Sequence, residues 1–448
     1  MRAAELLGEL PPPWPEDLQP QNRERALAAD RTIVVLDDDP TGTQTVFDVP
    51  VIADWQGDAI TQAFREGLPL IYVLTNTRAF VPAEAERINR EVARAILSAT
   101  GETGRASAVI SRSDSTLRGH FPLETDVLAE ELGLGRAPLL LIPFFEEGGR
   151  VTVDDVHYVV EGDSARPAAE TPFARDPVFG FENSDLRQWV EEKTAGRVMA
   201  GQVMSIPVGL IRGGGPELVV GLLRALPEKS VCVVNAVEMR DVEVVAAAVH
   251  QLWGEGRNLL FRTAASVVRA LAGLPKRPLL DRAEIVNEAG SGGLVVVGSH
   301  VPKSTAQLEA LVRGSEVLAI ELGEVDETLA KVEQGLQEDR DVVLYTSRQL
   351  VTGRDDDETL AIGAQISAAL VEIVSRLQTA PKFLIAKGGI TASDIATRAL
   401  GIKRAQVIGQ LLPGVPVWRT ERGLGYVVFP GNVGGDDALL EAVGRMGA

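Results

Sequence analysis

Short continuous apolar runs, repeated along most of the chain with amphipathic segments between them, constrain this sequence more than any other feature. They read RTIVVL from Arg31, PLIYVLT from Pro69, ASAVIS from Ala106, PLLLIP from Pro138, SVCVVNA from Ser230 and NLLFRTA from Asn258. Further along come GLVVVGS from Gly293, EVLAIEL from Glu316, DVVLYTS from Asp341, KFLIAKG from Lys382 and GYVVFPG from Gly425. A strand that is apolar on both faces is buried on both, which is the condition of parallel strands covered by helices. The helices are visible too. PAEAERINREVARAIL from Pro82 opens with proline and acids, as a helix N-terminus prefers, and ETLAIGAQISAALVEIVSRL from Glu358 is a second case. The pattern predicts an α/β chain with two Rossmann-like domains, largely parallel sheets and a cleft between them.

The boundary falls in PKRPLLDRAEIVNEAGSGG, residues 275–293, which is polar, holds two prolines and ends Gly-rich before a fresh strand. We read an N-terminal extension over 1–30, a first domain over 31–274, a linker over 275–291 and a second domain over 292–448. Within the extension, PPPWPEDLQPQ reads as an extended arm, able to lie over its own surface or a neighbouring subunit, which leaves a homodimer open. The segment 161–184 breaks the βα rhythm and is long enough to be functional.

Composition narrows the function. A net charge of −19 argues against nucleic-acid or anionic-membrane partners, so an anionic ligand would need dedicated arginines. No apolar run approaches the length of a spanning helix, and MRAAELLGEL carries Glu5 and Glu9 inside its apolar stretch, unlike a signal peptide. The lone Cys232 lies in an apolar run and reads as a buried hydrophobe, which suits a reducing, cytoplasmic setting.

Ligands of open α/β sheets bind beyond the carboxyl ends of strands. Polar residues recur there: DDDPTGT after IVVL, TNTR at 75–78, SRSDSTLRGH at 111–120, GSHVPKST at 298–305, Ser347-Arg348, KGGITASD at 387–394 and PGNVGGDD at 430–437. The first half is rich in Asp, Arg, Ser and Thr. Arg78, Arg112 and Arg118 suit a carboxylate, and Asp38, Asp39 and Asp114 suit hydroxyls, together a small polyhydroxy acid. The second half pairs glycines with Ser and Thr, a pattern that can cradle phosphate on backbone N–H groups. No P-loop, GxGxxG, GxSxG elbow or zinc spacing is present. Of the four histidines, His250 reads as structural, while His120 and His300 sit in the candidate loops.

These motifs resemble the four-carbon acid sugar kinases over residues 31–445. The first-strand Asp-Asp-x-Thr-Gly is matched by Asp38 to Gly42, Thr-Asn-Thr-Arg by Thr75 to Arg78, and Asp-Ser-Thr-Leu-Arg-Gly by Asp114 to Gly119. Gly298-Ser299, Gly388 to Thr391 and Gly431 to Gly434 match the second half, and ETPFARDPVFG from Glu170 is similar as well. Thr45, His120 and Ile390 depart from the family pattern.

The resemblance implies an ATP-dependent kinase for a small sugar acid, with Mg²⁺ carried mainly by ATP. It implies substrate contacts on Asp38, Thr41, Gly42, Arg78, Arg112, Ser113, Asp114, Ser115, Thr116 and Arg118. ATP contacts fall on Ser299, Gly388, Gly389, Ile390, Thr391 and Gly431. The catalytic carboxylate is Asp39 or Asp38, ahead of Asp114. The rival readings are a non-catalytic sugar-acid or nucleotide sensor on the same fold, and a nicotinamide-dependent dehydrogenase.

Overall fold

The computed structural model describes residues 1–299, 301–348 and 356–447, with the backbone alone over 356–364. The chain forms two compact units. The first holds Met1–Val46 and Trp55–Lys276, the second Phe47–Asp54 and Arg277–Ala448.

The first unit is built on seven parallel strands. Their spatial order is Leu70–Leu74, Arg31–Asp37, Ala106–Arg112, Leu260–Thr263, Leu139–Ile142, Val231–Val234 and Met204–Ile206. The apolar runs become strands because both faces are covered. Val34, Val35, Ile71, Tyr72, Ile110 and Leu140 have no exposed surface. The helix Pro82–Thr103 starts on its proline and stops at Gly104, whose φ of +74° is the left-handed turn that glycine tolerates best. Arg31–Asp37 has Leu70–Leu74 on one side and Ala106–Arg112 on the other, and the chain visits them in that order. The connections therefore diverge at this point, which opens a crevice at the carboxyl ends of Arg31–Asp37 and Ala106–Arg112.

Two parts of this unit differ from the sequence expectation. Residues 11–18 carry no helix or strand, and the extension adds the helices Ala3–Gly8 before them and Gln19–Ala28 after them. Asn22 donates to the Glu243 carbonyl (3.0 Å), and Trp14 packs on Gly215, so the extension is part of the first unit. Residues 150–167 form a separate antiparallel sheet of Arg150–Val153, Val156–Glu161 and Ser164–Pro167.

In the second unit five strands are parallel, in the order Leu318–Glu321, Val342–Tyr345, Gly293–Val297, Phe383–Lys387 and Gly425–Phe429. Gly293–Val297 and Phe383–Lys387 flank the corresponding point of divergence. The sheet then continues antiparallel through Val415–Thr420, Arg404–Leu412 and Val49–Ile52. The last strand comes from the segment read as first-domain sequence. Asp48 donates to the Val407 carbonyl (2.7 Å) and Ala53 to the Lys403 carbonyl (2.8 Å), while the Arg277 guanidinium lies 5.3 Å from the centre of the Phe47 ring. All four residues of Val49–Ile52 are buried by this pairing. The linker is likewise not free chain. From Arg277 it belongs to the second unit, Leu280 donates to the Gln410 carbonyl (2.8 Å), and Asp281 caps the short helix Arg282–Ile285.

Candidate functional site

The polar residues of the first unit gather where its topology leaves the crevice. Asp37 and Arg112 are register partners on adjacent strands, and the guanidinium reaches the carboxylate at 2.9 Å. Asp38 turns the other way, to Arg78 (2.6 and 3.3 Å) and to the Ser113 hydroxyl (2.6 Å). Asp39 caps the turn that follows, accepting from the Thr41 N–H at 2.8 Å. Three consecutive carboxylates thus have three different nearest partners, as alternation along an extended chain favours, although Arg112 also lies 3.8 Å from Asp38. Gly42 follows from Asp37: a Cβ there would stand 2.0 Å from its Oδ1.

The Asp114–Gly119 loop closes over this layer. Asp114 is held by Arg118 (2.7 Å) and by the Thr116 hydroxyl. Arg78 lies 3.8 Å from Asp114 and 3.7 Å from Asp39. Gly119 sits at φ +123°, and a Cβ on it would meet Ser113 Oγ at 2.5 Å. Ser115 presents its carbonyl to His157 Nε2 (2.8 Å), whose Nδ1 meets Thr152 Oγ1 (2.9 Å). Burial pushes His157 down to about 4, so it stays neutral and acts as a fixed hydrogen-bonding strut. The irregular segment lies against the same loop: Phe173 under the Arg118 guanidinium, Asp176 3.6 Å from it, and Phe179 edge-on to His120. His120 itself faces the Thr77 and Phe80 carbonyls (3.1 and 2.9 Å). Thr45 donates to the Ala265 carbonyl (2.9 Å), so this departure from the family pattern serves as an anchor.

Electrostatics separates the carboxylates. Burial, with Asp38 and Asp39 adding to it, pushes Asp37 up to about 7 in spite of Arg112. Burial opposes ionisation of Asp38 also, but Arg78, backed by Arg112 and Arg262, holds it below the usual range. For Asp114 burial is outweighed by Arg118 and Arg78, which hold its carboxyl far below that range. Asp38 and Asp114 are therefore poor proton acceptors, locked as structural anions. Asp39 keeps an oxygen at the long end of ion-pair distance from Arg78 and is the least encumbered of the three.

The second unit gathers its loops with little charge. A Cβ on Gly298 would meet Thr391 Oγ1 at 2.4 Å, and one on Gly388, at φ +107°, would meet Ser299 Cβ at 2.9 Å. Gly388 donates to the Phe429 carbonyl (2.8 Å) and opens the short helix Gly389–Asp394. Ser299 Oγ is 3.9 Å from where a Cβ on Gly431 would stand, and Ser304 Oγ donates to the Gly431 carbonyl (3.4 Å). Arg348 holds the Ser299 carbonyl at 2.7 Å. Ser299, Gly388, Gly389, Thr391 and Gly431 thus lie in adjoining loops, with Ile390 exposed among them. His300 lies outside the described residues.

Sequence reasoning passed over three charged residues. Lys387, with no exposed surface, ends the strand beneath these loops. It donates to the Pro430 and Gly431 carbonyls (2.5 and 3.3 Å) and sits 4.3 Å from the centre of the Phe429 ring. Burial, with Lys303 nearby, pushes it down to about 7. In the first unit, Arg262 donates to Ser113 and Ser111 (2.7 and 2.8 Å) and pairs with buried Glu124. Lys387 opens the KGGITASD segment without being singled out there, while Arg262 and Glu124 are embedded in a run and a helix that read as ordinary core. Cys232 is buried, and burial pushes its thiol up to about 12, so it stays protonated and serves as a small core residue. No helix among the described residues is long and apolar enough to cross a membrane.

Residues 33–271 match the family of sugar-binding N-terminal domains, and residues 294–439 that of nucleotide-binding C-terminal domains. The chain is 27% identical to a 3-oxo-tetronate kinase of Pseudomonas fluorescens, over 75% of this chain and 77% of that one. It is 26% identical to a D-threonate kinase of Cupriavidus necator, over 70% and 72%. A D-erythronate kinase of Heliobacterium modesticaldum is 28% identical over 54% of this chain and half of its own. A solved structure from Haemophilus influenzae superposes with a TM-score of 0.60 at 18% identity, covering 92% of this chain and all of that one.

Proposed function

The chain belongs to the four-carbon acid sugar kinase family, and on that premise we propose that it transfers the terminal phosphoryl group of ATP to a hydroxyl of a small sugar acid of the four-carbon type. The first unit binds the acid and the second the nucleotide. The observation that carries the reading is the division of labour among neighbouring carboxylates. Asp38 and Asp114 are fixed by arginines, while Asp39 stands at the crevice with an oxygen to spare. Asp39 orients the attacking hydroxyl and takes its proton, and Arg78, within 4 Å of all three carboxylates, keeps their mutual repulsion from dispersing the site.

The loops around Gly388 suit phosphate. The first N–H groups of a helix lack intrahelical partners, and the glycines leave room for an oxygen where a Cβ would block it. Ser299, Gly389, Ile390, Thr391 and Gly431 are the further contacts of this reading. Mg²⁺, if it accompanies the nucleotide, would be held largely through the nucleotide's oxygens and water and would supply charge neutralisation on the transferred group.

The substitution Asp39→Asn tests the proposal. A kinase should lose turnover by about 10²- to 10⁴-fold while the affinities for the acid and for ATP stay within a few-fold. A variant that turns over as fast as the parent would remove Asp39 from the chemistry. A parent that binds both ligands and releases no ADP would point to a sensor.

A further inference from the structure

The first unit's crevice holds more guanidinium groups than its own carboxylates engage. Arg78 pairs with Asp38, Arg112 with Asp37, Arg118 with Asp114 and Arg262 with Glu124. Arg150 does not pair. Among the described residues its guanidinium makes neither an ion pair nor a hydrogen bond, and its Nε is buried without an acceptor. What it touches is a ring: its Cζ lies 5.7 Å from the centre of Phe173, the same ring that Arg118 approaches at 5.2 Å. Asp114 and Glu161 act on it only from beyond pairing distance.

The backbone that carries it is fixed. Phe145 and Arg150 exchange both backbone hydrogen bonds (3.0 and 2.9 Å), and the turn between them depends on Gly149 at φ +68°, where a Cβ would stand 2.3 Å from the Val160 carbonyl. An arginine does not discharge its proton to escape burial. A guanidinium whose Nε is buried without an acceptor, and which has no counter-charge in contact, is unfavourably placed, and it becomes favourable when a planar anion meets its fork.

We propose that Arg150 receives the carboxylate of the acceptor, the group that distinguishes a sugar acid from the corresponding sugar alcohol. This rests on the sugar-acid reading above and deepens it. The arginines that the sequence singled out, Arg78, Arg112 and Arg118, are occupied by the protein's own carboxylates, while Arg150 meets only the Phe173 ring that Arg118 also approaches. Selection for an acid then resides in a residue outside the motif loops, on the small antiparallel sheet.

Calorimetric titration of the full chain with D-threonate and D-erythronate, and with the neutral alditols threitol and erythritol, tests this. The parent should bind at least one acid and bind its alditol far more weakly. Arg150→Gln should weaken acid binding by about 10- to 100-fold and leave alditol binding unchanged. Should the glutamine variant fail to fold in a thermal melt, Arg150→Lys keeps the charge without the planar fork and must still bind the acid more weakly. Equal acid affinity in either folded variant, or a parent that binds no acid, overturns the proposal. A parent that discriminates acid from alditol through Arg150 yet releases no ADP sinks the kinase reading and leaves this subsite standing.

Discussion

At the carboxyl ends of the first unit's strands the contacts run from side chain to side chain: Arg112 to Asp37, Arg78 to Asp38, Arg118 to Asp114. In the second unit they run largely to backbone. Arg348 binds the Ser299 carbonyl, Lys387 those of Pro430 and Gly431, Ser304 that of Gly431, and the space between is kept by glycines. The difference follows from the ligands proposed. A small acid is told from its neighbours by hydroxyls and a carboxylate, which needs fixed side chains of known charge. Phosphate is recognised by N–H groups that every residue carries, so what must be specified is the room for it. One unit spends residue identity on charge, the other on the absence of a side chain.

Substitutions that add a single carbon separate the two designs. Gly42→Ala should be the most damaging, because Asp37 is short, buried and tied to Arg112 and cannot give way. Chemical denaturation should show a loss of about 2–4 kcal/mol, and a loss below about 0.5 kcal/mol would mean that the charge layer is slack. Gly388→Ala adds a Cβ 2.9 Å from that of Ser299 at a φ of +107°, which an L side chain rarely adopts. It should raise the KM for ATP about tenfold or more with little change for the acid. Equal effects on both KM values would contradict a nucleotide role confined to the second unit.

Lys387 sharpens the contrast with pH. Its folded pKa of about 7 lies below the ordinary lysine value, so between these two values the unfolded chain binds the extra proton and stability rises with pH. The contribution is fully unfavourable below about 7 and is relieved as pH climbs towards the ordinary value. Relative to Lys387→Met, the parent should gain about 1 kcal/mol between pH 7 and 8. Parallel pH profiles would show that the carbonyls of Pro430 and Gly431 and the Phe429 ring keep the ammonium charged.

Much of this was legible in the sequence where the signal is local. The apolar runs became the parallel strands because burial on both faces leaves no other pattern, and the loops that follow them hold Asp38, Arg78, Asp114, Gly388 and Gly431 together with their partners. What escaped depends on partners far along the chain. Val49–Ile52 is a short run whose mate, Arg404–Leu412, belongs to the other half. Arg262 hides in a strand-like run and finds Ser113 and Glu124 only through the fold. The charges of Asp37 and Asp38 look equivalent in one dimension, and it is burial and the choice of arginine that set them apart. Arg150 is another such case, since an arginine without a partner can be recognised only when every neighbour is in place.

ADP release by the unmodified chain, with MgATP and a panel of four-carbon sugar acids, bears most directly on the account. Release that requires one of the acids and stops when its matching alditol replaces it is the result predicted. Release that proceeds equally without any acid, or none with every acid of the panel, would contradict it.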